Sequence, residues 1–228
     1  MTGVPSRPPT GSAWRGAVDR DAAQALPAHH SHTLAHMDAP LLAQAIRTRR
    51  TVKAFTGAPV TRAALVEALD LARWAPTHGL REPWHFSVVE QPGVARLSAF
   101  FRIDPAFAPL RDGGGKSAAK LEQMLTRMLG VGAMIAVSWH HQEDPALDSE
   151  DHSAAAAAVQ NLLLALHAQG LSSYWSTSGV FMEAATLRWF GLDPDSQGAL
   201  GCIWIGHAVA QPPAPPRRPL EERVRWLG

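Results

Sequence analysis

A single cysteine, Cys202, stands in a chain of 228 residues, which excludes an intrachain disulfide framework and a multi-cysteine zinc site. That usage suits a reducing compartment, and the cytoplasm is the expected location. Neither sign of charge is in surplus: 21 Lys and Arg against 20 Asp and Glu leave a net charge of +1, too little for the footprint of a nucleic-acid partner. Long apolar runs are missing too. The most apolar stretch, Ala154–Leu166, is too short to span a bilayer and is broken by Gln160 and Asn161, and no basic amphipathic helix points to a membrane surface. The N-terminus has no continuous apolar stretch followed by a small-residue cleavage site, so no signal peptide is expected. No GxGxxG follows an expected strand, which leaves a doubly wound dinucleotide fold unsupported. Nor is Gly113-Gly114-Gly115-Lys116-Ser117 a phosphate loop. A Walker A motif needs glycine where Leu110 stands, and no strand precedes the run.

What remains is an ordinary globular composition, 46% apolar and 18% charged, enough for one substantial core or at most two small domains. Residues 1–38 hold Pro5, Pro8, Pro9 and Gly11 with His29, His30, His32 and His36, and read as a mostly disordered extension. Folded structure is expected over 39–228. A first helix carries Leu41, Leu42, Ala45 and Ile46. A second, over 62–73, has Thr61 as its N-cap and the core-facing stripe Leu65, Ala68, Leu69, Ala72. The spacing predicts strands at 84–89, 132–139, 171–175 and 199–205, and further helices at 93–102, 116–130, 150–169 and 182–190. The helix over 150–169 is expected to start at Ser149, with Glu150 and Asp151 in its first turn. Its run Ala154–Ala158 invites close approach by another helix or a partner subunit. Residues 211–228, rich in proline and arginine, form an arm whose Leu220, Val224 and Trp226 need apolar cover.

The chemistry-bearing stretch is Arg49-Arg50-Thr51-Val52-Lys53-Ala54-Phe55. Cations where a helix ends offset its dipole, a purely structural use worth about 0.3–1 kcal/mol. The same residues also suit a phosphate monoester. Guanidinium forks match phosphate oxygens, the threonine hydroxyl adds a donor, and Lys53 can reach another electron-rich part of the same ligand.

This stretch resembles the phosphate-binding opening of the nitroreductase family of FMN-dependent oxidoreductases. Ala75-Pro76-Thr77-His78 through Pro83-Trp84-His85-Phe86 resembles that family's loop under the flavin. Val159–Ala165 with Gly170-Leu171 and Trp175 is similar to its central helix and the following strand, Gly201–Gly206 to its last core strand, and Arg218–Glu222 to its tail. The ordered set of five motifs, from about 40 to 228, carries the likeness.

The resemblance implies an α+β fold. It is a three-layer sandwich in which one mixed, mostly antiparallel sheet is flanked by helices and the C-terminal arm reaches the partner subunit. It implies a homodimer with two FMN sites at the interface, NADH or NADPH as electron donor, and a ping-pong reaction with a small acceptor such as a nitroaromatic, a quinone or an enone. Arg49, Arg50 and Thr51 would hold the phosphate and ribityl region, and Lys53 would sit near the pyrimidine edge. His78 and Leu80 belong to the flavin loop. Trp175, Ser176 and Thr177 follow the central helix, with Ser176 and Thr177 coming from the other subunit, and Arg217 or Arg218 would return to the phosphate. No protein acid, base or nucleophile is needed, because the cofactor carries the chemistry. Leu80 replaces a small polar residue of relatives and Glu82 a glutamine, so the acceptor pocket is expected to differ. Two other readings remain: a flavin-binding or flavin-consuming protein of the same fold, and an interaction protein without the cofactor.

Overall fold

The structure is a computed structural model, and it describes residues 39–228. The expected extension over 1–38, with its histidines, lies outside the described residues. Among the described residues seven α-helices and four strands follow in the order α1 (Ala39–Thr48), α2 (Arg62–Ala72), β1 (Trp84–Glu90), α3 (Gln91–Ile103), α4 (Ala108–Asp112), α5 (Gly115–Met128), β2 (Ala133–His140), α6 (Pro145–Ala168), β3 (Ser172–Ser176), α7 (Ala184–Trp189) and β4 (Gln197–Gly206).

The strands form one sheet in the order β1-β2-β4-β3. Every ladder is antiparallel, with Val88 opposite Ile135, Ile135 opposite Ile203, and Trp175 opposite Ile203. The parallel part of the expected mixed sheet is confined to an isolated bridge between Thr51 and Ser173. Successive strand residues point to opposite faces, and both faces are covered. Ile135, Val137, Ile203 and Ile205 pack with Leu65 and Ala68 of α2 and Val159, Leu162 and Leu166 of α6. On the other face Met134, Ala136, Cys202 and Trp204 pack with Leu97 and Phe101 of α3 and Leu125 of α5. The result is the expected three-layer α+β sandwich. Truncating a wholly buried ring such as Phe101 to alanine would cost about 3–5 kcal/mol.

Small side chains set the helical layer. Ala154, Ala155 and Ala158 of α6 are buried in one cluster with Ala68 and Ala72 of α2, so the alanine run serves the centre of the fold. The start of α6 differs from expectation. Asp144 caps it, accepting a bond from the Ala146 N–H at 2.8 Å, and Pro145 fills the first turn, where a missing N–H costs nothing. Glu150 and Asp151 therefore lie inside the helix, free to meet another element.

Among the regions that keep apolar side chains in the open are α1 and the C-terminal arm. α1 buries none of its residues, leaving Leu41, Leu42 and Ile46 exposed, and in the C-terminal arm Leu220, Val224, Trp226 and Leu227 are exposed as well.

Candidate functional site

Arg49 follows directly from α1, its N–H bonding the Ala45 carbonyl as a last helical link. The chain then runs along the free edge of β3. The Val52 N–H donates to the Ser173 carbonyl at 3.1 Å, Thr51 bridges Ser173, and Lys53 holds its ammonium 5.0 Å from the centre of the Tyr174 ring. Val52, between them, is buried and pins the segment, while Thr51 and Lys53 face outward.

Arg49, Arg50 and Thr51 line a cleft of about 230 Å³ whose far wall is the beginning of the C-terminal arm, Pro212, Pro213, Pro215 and Arg217. The arm is tied there by the Gln211 amide, which donates to the Ser172 hydroxyl at 3.3 Å. Partial burial, then the nearby Arg50 and Arg217 cations, push the Arg49 guanidinium below its ordinary value. Among the described residues no carboxylate pairs with Arg49, Arg50 or Arg217. Arg50 spends its side chain on the Arg47 and Arg49 carbonyls, both at 2.7 Å. Arg218, the next residue in the arm, is exposed. Three cations gathered without a carboxylate among the described residues create a positive potential to which an anionic ligand is complementary.

His167, unremarked in the sequence, closes this corner. Its Nε2 lies 2.8 Å from the Thr48 hydroxyl, and burial together with Arg49 and Arg50 lowers its pKa, favouring neutral imidazole. Nothing in the sequence links position 167 to position 48; only the docking of α6 on α1 does.

Further along the same edge, Trp175 donates its indole N–H to the Leu200 carbonyl at 2.7 Å. Gly201, at φ +112°, lets β3 come this close, because a Cβ there would collide with the Ser176 carbonyl. Ser176 is buried and Thr177 exposed at the strand's end. The Thr51–Ser173 bridge is parallel, so Lys53, Trp175, Ser176 and Thr177 belong to one edge of one chain.

The loop with His78 and Leu80 is the distant part. Gly79, Leu80 and Glu82 all have left-handed backbone, at φ 58°, 53° and 46°, and Leu80 is 84% exposed. Left-handed geometry at two non-glycine residues persists only where surroundings impose it. Arg81 supplies the anchor: its Nε donates to Asp151 at 2.8 Å and its Nη2 to Glu150 at 3.2 Å, with His78 Nδ1 3.5 Å from the same Glu150. Asp151 is fully buried and also accepts from the Gln142 amide at 2.9 Å. From Asp151 to His167 is sixteen residues of α6, about 24 Å. Within one chain, then, the loop and the cationic cleft do not meet.

The Nitroreductase family model matches residues 46–207. The chain belongs to the nitroreductase family. YfhC of Bacillus subtilis, named for NAD(P)H nitroreductase activity, is 26% identical over 184 residues, covering 80% of this chain and 92% of that protein. A nitroreductase-like family protein from Bacillus cereus superposes with a TM-score of 0.70 at 28% identity, over 82% of this chain and 95% of that one. A nitroreductase from Desulfovibrio desulfuricans, solved in complex with FMN, gives 0.60 at 27% identity, over 84% and 99%. These are the likenesses of an α+β flavoenzyme fold, and they span almost all the described residues.

Proposed function

We propose that this nitroreductase-family protein is an FMN-dependent oxidoreductase, working as a homodimer. The observation that carries the reading is the cleft of Arg49, Arg50, Thr51 and Arg217, which lacks a carboxylate partner among the described residues. A phosphate dianion is the natural complement to it. When bound there, FMN would supply two-electron redox chemistry between NADH or NADPH and a small nitroaromatic, quinone or enone-like acceptor, the donor and the acceptor using the site in turn (ping-pong).

The residues of the chain have separable tasks. Arg49, Arg217 and Thr51 hold the phosphate, and Arg218 adds to the field around it. Lys53, steadied over the Tyr174 ring, places a cation where reduction adds negative charge, so it favours the reduced cofactor. Trp175, Ser176 and Thr177 shape the β3 edge against which the ring system lies. His78 and Leu80 come from the second copy, since α6 separates them from the cleft of their own chain. Exposed Leu41, Leu42 and Ile46 of α1 and the apolar residues of the arm are the surface on which that copy packs, a use the amphipathic pattern of α1 already suggests. No helix among the described residues is long and apolar enough to cross a membrane, and we place the enzyme in the cytoplasm. The catalytic domain is 39–228, with 1–38 an extension to it.

The visible spectrum of the purified protein tests the reading. A flavin band that bleaches when NADPH is added without oxygen, and returns on adding a quinone, is expected. A colourless protein that ignores added FMN would overturn it.

A further inference from the structure

His167 stands beside the cationic cleft, and its hydrogen bond fixes which of its two nitrogens can titrate. The Thr48 hydroxyl has one proton, which it donates to the Gln44 carbonyl at 2.8 Å. Toward His167 that oxygen can then only accept, so the donor across the 2.8 Å contact is the imidazole Nε2–H. Neutral His167 therefore keeps its lone pair on Nδ1. Protonation adds the second proton at Nδ1 and leaves the bond to Thr48 intact. Nothing has to break for this side chain to become a cation.

The charges around it decide when that happens. Arg49 and Arg50, just past α1, are the charged groups that act on His167, and Arg47 precedes Thr48 on α1 itself. From the arm, Arg217 acts on Arg49 and lines the same cleft. His167's own helix carries no charged residue between His152 and His167, and β3 begins with the uncharged Ser172 and Ser173. This company resists a further positive charge. A phosphate dianion held by Arg49 and Arg217 acts on the imidazole with the opposite sign.

We propose that His167 is a conditional cation of the phosphate site, taking a proton at Nδ1 as the phosphate dianion binds, so that FMN binding is coupled to proton uptake. This rests on the phosphate reading of the cleft. It adds a charge that responds to pH, which the arginines, protonated throughout, do not supply. The sign follows from linkage: a group protonated more fully in the complex than in the free protein tightens binding as pH falls through the neutral range. The phosphate's own second ionisation, at about pH 6, works the other way. The comparison is therefore with His167→Gln, whose side-chain amide can still donate to Thr48 but does not titrate.

Histidine NMR of the full chain, with and without FMN, tests it, with riboflavin as the control that lacks the phosphate. Neutral His167 is expected to show the Nε2–H tautomer, and its titration midpoint should move up with FMN and stay in place with riboflavin. In fluorescence titrations, the ratio of the FMN Kd of His167→Gln to that of the unaltered protein should be about threefold to tenfold larger at about pH 6 than at about pH 8. A midpoint that FMN leaves unmoved, or the same Kd ratio at both pH values, would overturn the inference and leave the flavin reading intact. Failure of FMN to bind while inorganic sulfate still raises the midpoint would instead sink the flavin reading and keep the link between anion and proton.

Discussion

The arginines at the two ends of α6 are used in opposite ways. Arg81 is bonded to a fully buried Asp151 and to Glu150, and the bond to Asp151 raises its guanidinium above the ordinary value. Arg49 has other cations for neighbours, and burial and those cations lower its guanidinium instead. One arginine is complete within the chain and fixes a loop. The other belongs to a group whose charge is unanswered among the described residues. The difference separates a residue that the fold needs from one that a ligand needs, although both are arginines beside the same helix.

Alanine replacements should divide along that line. Replacing Arg49 and Arg217 together removes two charge-assisted contacts at about 1.5–3 kcal/mol each, so FMN affinity should fall by roughly 10²–10⁴-fold. Fluorescence titration measures this, and the melting temperature without flavin should stay level or rise, since like charges are relieved.

Lys53→Met extends the ligand side of the comparison at smaller cost. Flavin should stay bound, while the two-electron potential falls by roughly 30–65 mV, the equivalent of one charge-assisted bond. A dye equilibration reads the shift, and an unchanged potential would mean that Lys53 only covers Tyr174.

On the structural side, Asp151→Ala leaves the Gln142 amide and the Arg81 fork without their buried acceptor. A loss of about 1–3 kcal/mol is expected, visible as a lower melting temperature with and without flavin. Stability unchanged by this substitution would contradict the division.

The smallest effect belongs to His167. Its folded pKa is lowered, so the stability it contributes is present above the ordinary histidine range and is lost as pH falls through that range into the acid side. The flavin-free protein should lose stability between about pH 7 and 5, and His167→Gln should flatten that slope.

Much of this contrast was legible in the sequence, and the illegible part has a common cause. The stripe Leu65, Ala68, Ala72 and its Thr61 cap place α2 correctly because both are local signals. The cluster from Arg49 to Lys53 is contiguous, and its chemistry could be read directly. The Asp144-Pro145 start of α6 is equally local, yet Ser149 followed by two acids fits the same cap pattern and drew the expected start. Once those acids are moved into the helix they become partners for Arg81, a contact spanning some seventy residues that no short-range pattern announces. The same holds for His167 beside Thr48 and for Tyr174 beneath Lys53. The pairing of Thr51 with Ser173 is likewise not encoded locally, because it crosses a sheet edge.

The central claim is that the unanswered cations hold a phosphate monoester, and comparing FMN with riboflavin tests it most directly. The two ligands differ only in that group, and both quench on binding, so one fluorescence titration serves for each. The account predicts that FMN binds at least 100-fold more tightly, about 2.7 kcal/mol, and that replacing Arg49 and Arg217 erases most of that advantage. Equal affinity for FMN and riboflavin in the unaltered protein would contradict it.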